Sequence, residues 1–301
     1  MSTTTSYITT ATSGADDYVD LQSWNDAAND GGAGGEQIVI VKEDIDDNLS
    51  LTGWTSTVNV TIKSDVPGVK RTVTSDDPGN QMVYSGSPYV SALTIEDIVF
   101  DGTGQVATRA GITTTNGTAT LTLNRVHIKN VTQHSILIWW DSDTATLDCD
   151  NCIFESPTGS AYRGARTTTT ATFRNCIFVK CGSAAQNCAQ GQTGAFLITN
   201  VGNYHNCLSF GNGGDDFAHA NTLATTNVRY CVSQDSTAAD GNHDDNTGSV
   251  GLDIATVPDT YFTDYDNGDY TLRHEDFTNW GVNGDSANTP AKDFNNRTRV
   301  N

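Results

Sequence analysis

Apolar and polar residues follow one template in six segments of the chain. In each segment, two or three apolar residues alternate with polar ones, a polar pair follows, and the alternation restarts out of phase. Alternation of period two predicts short strands with one buried face, and the phase change predicts a bend that keeps the apolar side inward. The segments are 92–100 (ALTIEDIVF), 120–128 (TLTLNRVHI), 146–154 (TLDCDNCIF), 170–178 (TATFRNCIF), 203–210 (NYHNCLSF) and 227–234 (NVRYCVSQ).

The inward position just after the bend recurs along the chain. Successive copies of it lie 24 to 31 residues apart, at Ile98, Val126, Cys152, Cys176, Cys207 and Cys231. A repeat of this length predicts coils whose strands stack in parallel on those of the next coil. The sequence therefore predicts an all-β, single-domain solenoid with these six side chains in one inner core column.

The cysteines of this column are interpreted as small hydrophobic core residues. A closed disulfide framework fits poorly with an odd total of seven cysteines. Cys149 and Cys152 form a single Cys-x-x-Cys pair, whereas a structural zinc site normally has four ligands, so we assign no metal. Asparagine tolerates left-handed backbone geometry, and the bend itself carries Asn151, Asn175 and Asn206.

The two ends of the predicted solenoid need caps, because an open end exposes core and strand edges. Residues 17–29 predict a helix capped by Asp17, with Leu21, Trp24 and Ala28 on its apolar face. Strands are expected at 36–43 and 58–65, and 233–253 reads as a polar loop over the solenoid. The predicted organisation is an N-terminal arm and capping helix (1–35), the coils (36–256), and a C-terminal strand and cap (257–301).

Composition narrows the functional classes. The formal net charge is −20, most of the acidic residues are Asp, and Lys and Arg form no run. This charge would repel the phosphate backbone of nucleic acids and anionic lipid, so we expect neither as a partner. The N-terminal segment has neither the basic nor the apolar region of a secretory signal, which predicts synthesis in a cytoplasm. We assign no cofactor.

The repeat resembles the right-handed parallel β-helix of the pectate-lyase-like superfamily over most of the chain, and best over 92–234. The resemblance implies coils of 24–31 residues with a right-handed winding and asparagines that stack into a ladder at the bend. Residues 269–299 are similar to the closing segment of many β-helix repeat proteins, which implies an irregular cap. The matching residues are Asp269, Tyr270, Leu272, Asp293 and Arg297.

A rigid, acidic β-helix rich in Thr, Asn and Gly also resembles virion proteins of tailed bacteriophages. That resemblance implies a non-enzymatic structural or adhesive module: a capsid decoration, a fibre or a tailspike-like protein. Such a module assembles in the host cytoplasm and acts in the virion. Its implied partners are other virion proteins, further copies of itself in a homotrimer, and a surface glycan.

The alternative is a polysaccharide hydrolase or lyase. Asp215 and Asp216, with His243 one coil later, are similar to the Asp-Asp and Gly-His-Gly elements of polygalacturonases, in which carboxylates protonate the glycosidic oxygen and activate water. The other two elements of that family are absent. A lyase would need a basic residue and calcium, and Arg163 and Arg166 are the clustered basic pair in the middle of the chain.

A separate binding candidate is the pair Trp139 and Trp140, followed by Asp141 and Asp143. Adjacent residues of a strand point to opposite faces, so one indole ring is expected to point outward. An exposed Trp beside carboxylates could stack on a sugar or on a partner protein. The alternative is that an adjoining loop covers the ring, since large aromatic side chains are mostly buried.

Overall fold

The structure is a computed structural model of the 301-residue chain. It describes residues 2–9, 14, 17–30, 34–75, 81–86, 89–103, 110–115, 120–139, 145–155, 161–164, 169–181, 201–213, 216–217, 225–241, 243–257 and 261–273. All statements below refer to these residues.

One α-helix, α1 (Leu21–Asp30), and 26 strands are formed within the described ranges. The strands of the first half are β1 (Thr3–Ile8), β2 (Asp17–Tyr18), β3 (Gly35–Val41), β4 (Ile45–Asp46), β5 (Leu49–Leu51), β6 (Val58–Ser64), β7 (Arg71–Thr74), β8 (Val83–Ser85), β9 (Val90–Glu96), β10 (Ile98–Asp101), β11 (Ala110–Thr115), β12 (Thr120–Asn124), β13 (His127–Lys129) and β14 (His134–Trp139). Those of the second half are β15 (Ala145–Asp150), β16 (Ile153–Glu155), β17 (Tyr162–Gly164), β18 (Thr169–Arg174), β19 (Ile177–Val179), β20 (Val201–His205), β21 (Leu208–Phe210), β22 (Thr225–Arg229), β23 (Val232–Ser233), β24 (Val250–Gly251), β25 (Phe262–Asp264) and β26 (Asp269–Leu272).

The strands wind as a parallel β-solenoid, which confirms the predicted fold class. Sheet 1 has ten strands in the order β2-β1-β3-β6-β9-β12-β15-β18-β20-β22, and sheet 2 has nine in the order β24-β23-β21-β19-β16-β13-β10-β7-β4. Sheet 3 has five, in the order β17-β14-β11-β8-β5. Each of about five turns, from β3 to β17, therefore contributes one strand to each of the three sheets. The described strands of the next three turns lie in sheets 1 and 2.

The bend between sheets 1 and 2 lies at the polar pair where the alternation changes phase. In six successive turns the residue at this bend has a left-handed φ of 53–57°. Three of the six are the predicted asparagines, and the other three are Asp97, Arg125 and Tyr230. The left-handed residue reverses which side of the chain faces inward, so Leu121 and Leu123 before the bend and Val126 after it are all fully buried.

The N-terminal helix begins at Leu21, so the predicted start at Asp17 is wrong. Asp17 and Tyr18 instead form β2, which pairs with the end of β1. The helix receives its caps from other residues. Asp20 Oδ1 accepts a hydrogen bond from Ser23 N at 2.5 Å, and the distant Asp47 Oδ2 accepts one from Leu21 N at 2.6 Å. Leu21 and Trp24 reach the core as predicted.

The first part of the C-terminal region continues the solenoid, and the later part folds back as an antiparallel pair of strands. Residues 244–250 lie beside β22 and β23. Val228 N of β22 donates to Asp245 O at 2.6 Å, and β24 pairs in parallel with β23. This segment therefore forms a partial further turn on the end of the solenoid. The antiparallel pair β25–β26, which we call the hairpin, packs on the outer face of sheet 2.

Candidate functional site

A groove of about 280 Å³ opens near the C-terminal end of sheet 2, beside the residues that follow its last strands. Asn212 follows β21, Gln234 and Asp235 follow β23, and Asp253 follows β24. These positions meet because successive turns stack on one another. The full lining is Asn212, Asp216, Gln234, Asp235, Asp253, Ile254 and Ala255.

Asp216, one of the predicted catalytic candidates, lines this groove and is buried, with 2% of its surface exposed. Both carboxylate oxygens accept two hydrogen bonds each. Oδ1 accepts from Ser209 Oγ at 2.9 Å and Asn212 Nδ2 at 2.5 Å. Oδ2 accepts from the backbone N–H groups of Gln234 at 2.8 Å and Asp235 at 3.2 Å. The carboxylate therefore ties together two turns of the solenoid.

Asp235 makes the reciprocal connection. Its Oδ2 accepts a hydrogen bond from Asp216 N at 3.0 Å, and its Oδ1 accepts from the backbone N–H and the hydroxyl of Thr237 at 2.9 and 2.5 Å. Thr237 Oγ1 in turn accepts from Phe217 N at 3.0 Å. Asp216 and Phe217 are thereby fixed to the short turn at 235–237.

The pKa of Asp216 is raised to about 7, mainly by burial and also by the negative charge of Asp235, while the hydrogen bond from Asn212 opposes the change. A carboxyl group with this pKa is partly protonated near neutral pH, which is the property of a general acid. Its oxygens, however, are already used by four protein donors. The raised pKa of Asp216 favours a catalytic role, whereas its four hydrogen bonds to the protein favour a structural one.

The other two predicted catalytic residues are placed differently. His243 is buried, and its Nε2 lies 2.6 Å from Thr237 O. Asp216 and His243 thus both contact the turn at 235–237, through different groups. Asp215 lies outside the described residues.

The predicted aromatic binding site is described only in part. The backbone of Trp139 ends β14, where it pairs with Thr115 of β11. Trp140, Asp141 and Asp143 lie outside the described ranges, as does the side chain of Trp139. Arg163 contributes its backbone to β17, and Arg166 lies outside the described residues. These interpretations stay predictions.

The predicted core column is buried throughout, with Ile98, Val126, Cys152, Cys176, Cys207 and Cys231 all at 0% exposure. The six described cysteines are free thiols. Several donate to backbone carbonyl groups of a neighbouring turn, as Cys176 Sγ does to Cys149 O and Cys207 Sγ to Phe173 O, both at 3.4 Å. Burial raises the pKa of Cys176 and Cys231 well above the ordinary value, which keeps these sulfurs protonated and unreactive.

The residues at the bend between sheets 1 and 2 stack in successive turns and make polar contacts with one another. We call this stack the bend column. Asn175 Nδ2 donates to Asn151 Oδ1 at 3.4 Å, a long hydrogen bond. Two turns earlier the same column holds a buried ion pair, in which Arg125 Nε and Nη2 donate to Asp97 Oδ1 and Oδ2 at 2.7 and 2.9 Å. Sequence reasoning identified the asparagines but missed this pair. The signal was available, since Asp97 and Arg125 directly precede Ile98 and Val126 of the core column.

Sequence reasoning also missed Asn212, Gln234 and Asp235 as partners of Asp216, and Asp253 as a further lining residue of the groove. Their common signal is their position, one or two residues after a strand of sheet 2 in neighbouring turns. No group of three or more His, Cys, Asp or Glu side chains converges to hold a metal ion in the described part of the chain.

Comparison with known proteins gives no relative: the chain matches no protein-family model, no curated protein and no solved structure. Among the described residues, no helix has the length and apolar character needed to cross a membrane.

Proposed function

We propose that the chain is a non-enzymatic structural or adhesive module, a rigid rod of the kind found in virions of tailed bacteriophages. The proposal rests on the hydrogen bonds of Asp216, the candidate acid that lines the groove. All four of its hydrogen-bonding contacts go to the solenoid itself, and they connect two turns. A group held in this way stabilises the rod.

Two further features support the proposal. The core runs without interruption from α1 to the last turn, so the molecule has the stiffness that a fibre or decoration protein needs. The net charge of −20 suits a surface that works in salt water, where screening limits self-repulsion. The phage assignment itself rests on the sequence resemblance, and the proposed partners are other virion proteins, further copies of this chain and a surface glycan.

The proposal is tested on particles and in solution. Mass spectrometry of virions purified from cultures that carry the gene should detect the protein at a fixed stoichiometry. Sedimentation equilibrium should give a mass near three times 32.1 kDa if the rod is a homotrimer. Absence of the protein from every particle fraction would contradict the virion role.

A polysaccharide hydrolase is the second candidate, and the raised pKa of Asp216 favours it. Asp216 has its pKa at about 7 and lies in a groove that is also lined by Asp235 and Asp253, so an acid and a second carboxylate are both present. Incubation with a panel of acidic and neutral polysaccharides, followed by a reducing-end assay, separates the two proposals. Cleavage that is lost in Asp216→Asn and Asp253→Asn proteins of unchanged circular dichroism would favour the hydrolase.

A further inference from the structure

The side chains on the outer face of sheet 2 change from polar to apolar along the solenoid. The outward positions of one column are polar in the earlier turns, at Thr74, Asp101, Lys129 and Glu155. The same column then carries Val179 and Phe210, which are fully buried although they point away from the core. Their burial comes from the hairpin, whose residues Phe262, Tyr265 and Tyr270 pack with them in a second apolar cluster.

The hairpin is attached to the coils by side chains. Its described backbone hydrogen bonds are internal: β25 pairs with β26, and Arg273 N donates to Tyr261 O at 2.9 Å. Before the hairpin, the last backbone hydrogen bond from this part of the chain to a coil, within the described residues, is Ile254 N to Gln234 O at 3.0 Å. A two-stranded hairpin of three and four residues is at best marginally stable alone, so its structure depends on docking.

One side chain, Lys180, makes several polar contacts between the hairpin and the coils. Its ammonium group donates to the backbone carbonyl groups of Tyr265 at 3.0 Å and Asp266 at 3.2 Å. The same group lies 5.0 and 5.5 Å from the ring centroids of Tyr265 and Tyr270, and 3.7 Å from Glu155 Oε1. A third hydrogen bond runs from Tyr265 Oη to Phe210 O at 3.3 Å.

We propose that the hairpin is a strap that opens as one unit while the solenoid stays wound, and that Lys180 is the latch that holds it closed. The proposal is independent of either candidate function. Among the described residues, opening breaks the hydrogen bonds of Lys180 and Tyr265 given above and leaves every ladder of sheets 1 to 3 intact. Opening uncovers the apolar strip formed by Ile177, Val179, Leu208, Phe210 and Val232.

Native-state hydrogen exchange with mass spectrometry tests the strap. In the wild-type protein, amides of 262–272 should exchange through an opening with a smaller free energy and a smaller denaturant dependence than amides of 145–155 in the coils. If both regions exchange with one free energy and one denaturant slope, the hairpin is part of the cooperative unit and the proposal is wrong.

Substitution of the latch gives the second test. Lys180→Met keeps a long unbranched side chain and adds no new backbone cost, because Lys180 already has a left-handed φ of 53°. Loss of the ammonium should speed exchange in 262–272 by about 10- to 100-fold with little change at 145–155. The matched control is Lys129→Met, since Lys129 lies on the same outer face and pairs with Asp101 at 2.9 Å. Equal effects of both variants on the hairpin, or none for Lys180→Met, would overturn the latch.

Discussion

The two ends of the solenoid are closed by different interactions. At the N-terminal end, Leu21 and Trp24 of α1 pack on the core, and both are at most 1% exposed. The ring centroids of Trp24 and Trp54 are 6.3 Å apart. At the C-terminal end, side chains bond to the last strands: Asp244 Oδ2 accepts from Thr226 N at 2.7 Å, and Ser249 Oγ accepts from Cys231 N at 3.0 Å. Both ends also use the other kind of contact, since Gln22 Oε1 accepts from Ser50 N at 2.8 Å at the first end and Phe217 is buried in the core at the second. The difference is that a helix covers the first end, whereas polar side chains of an extended segment bond to strand N–H groups at the second.

This difference shows that the end of a solenoid poses two separate problems. The exposed end of the core needs apolar cover, and the unpaired edge of each sheet needs hydrogen-bond partners. A helix suits the first problem because it presents a broad apolar face. A polar segment suits the second because Asp and Ser side chains can reach the free N–H groups of a strand edge. The ends should therefore respond differently to substitution and to pH.

The largest effect is expected from Trp24→Ala at the N-terminal end. Removing this fully packed ring should lower the free energy of unfolding by about 3–5 kcal/mol, because both burial and packing are lost. Urea denaturation followed by circular dichroism measures it. Val66→Ala is the control, since Val66 is 44% exposed and should change stability by less than about 0.5 kcal/mol.

A smaller effect is expected from Gly251→Ala at the C-terminal end. A Cβ on Gly251 would lie 2.5 to 2.6 Å from backbone atoms of Ser236, which cannot move aside as a flexible side chain can. The expected loss of stability is about 1–3 kcal/mol. Gly241→Ala in the same region is the matched control, because its Cβ would have no atom within 4 Å. Equal stability of the two variants would show that this end is loosely packed.

The pH dependence of stability sharpens the comparison further. The folded protein holds a proton on Asp216 up to about pH 7, whereas the unfolded chain loses it near 3.8. The folded state therefore binds more protons in this window, and the free energy of unfolding should fall as pH rises, by up to about 1.4 kcal/mol per pH unit. Asp47 adds the same trend up to about pH 6, because burial raises its pKa.

Urea titrations at fixed ionic strength check this prediction. Above pH 6, the slope should belong mainly to Asp216 and should be much smaller in the Asp216→Asn protein. Above about pH 7, where the wild-type carboxylate is ionised and accepts four hydrogen bonds, that variant should also lose stability, since an amide NH₂ would face donors of the solenoid. A wild-type stability that rises between pH 6 and 7 would contradict the raised pKa of Asp216.

The smallest effect concerns the sulfur atoms, and it is kinetic. The six described cysteines are free and fully buried, so a thiol reagent should label at most one of the seven cysteines in the native protein. All seven should react in denaturant. Rapid labelling of two or more thiols under native conditions would mean that the inner column opens to solvent.

Much of this architecture could be predicted from the sequence. Alternation and its phase change are local properties, so the segments at 92–100 and 146–154 indicated both strands and the bend between them. The cap that Asp20 gives to Ser23 N is local and could have placed the start of α1, whereas the second cap could not be predicted, because Asp47 is 26 residues after Leu21. The role of Asp216 also depended on distant partners, since Gln234 and Asp235 reach it only when the turns stack. The apolar residues at the outward positions Val179 and Phe210 indicated a cover over this face, but not which segment supplies it.

The column of thiols has a consequence for where the protein can work. Because the six described sulfurs are buried as free thiols, the winding of this column depends on no disulfide bond between them. Transfer from a reducing compartment to an oxidising one should leave the interior of the rod unchanged.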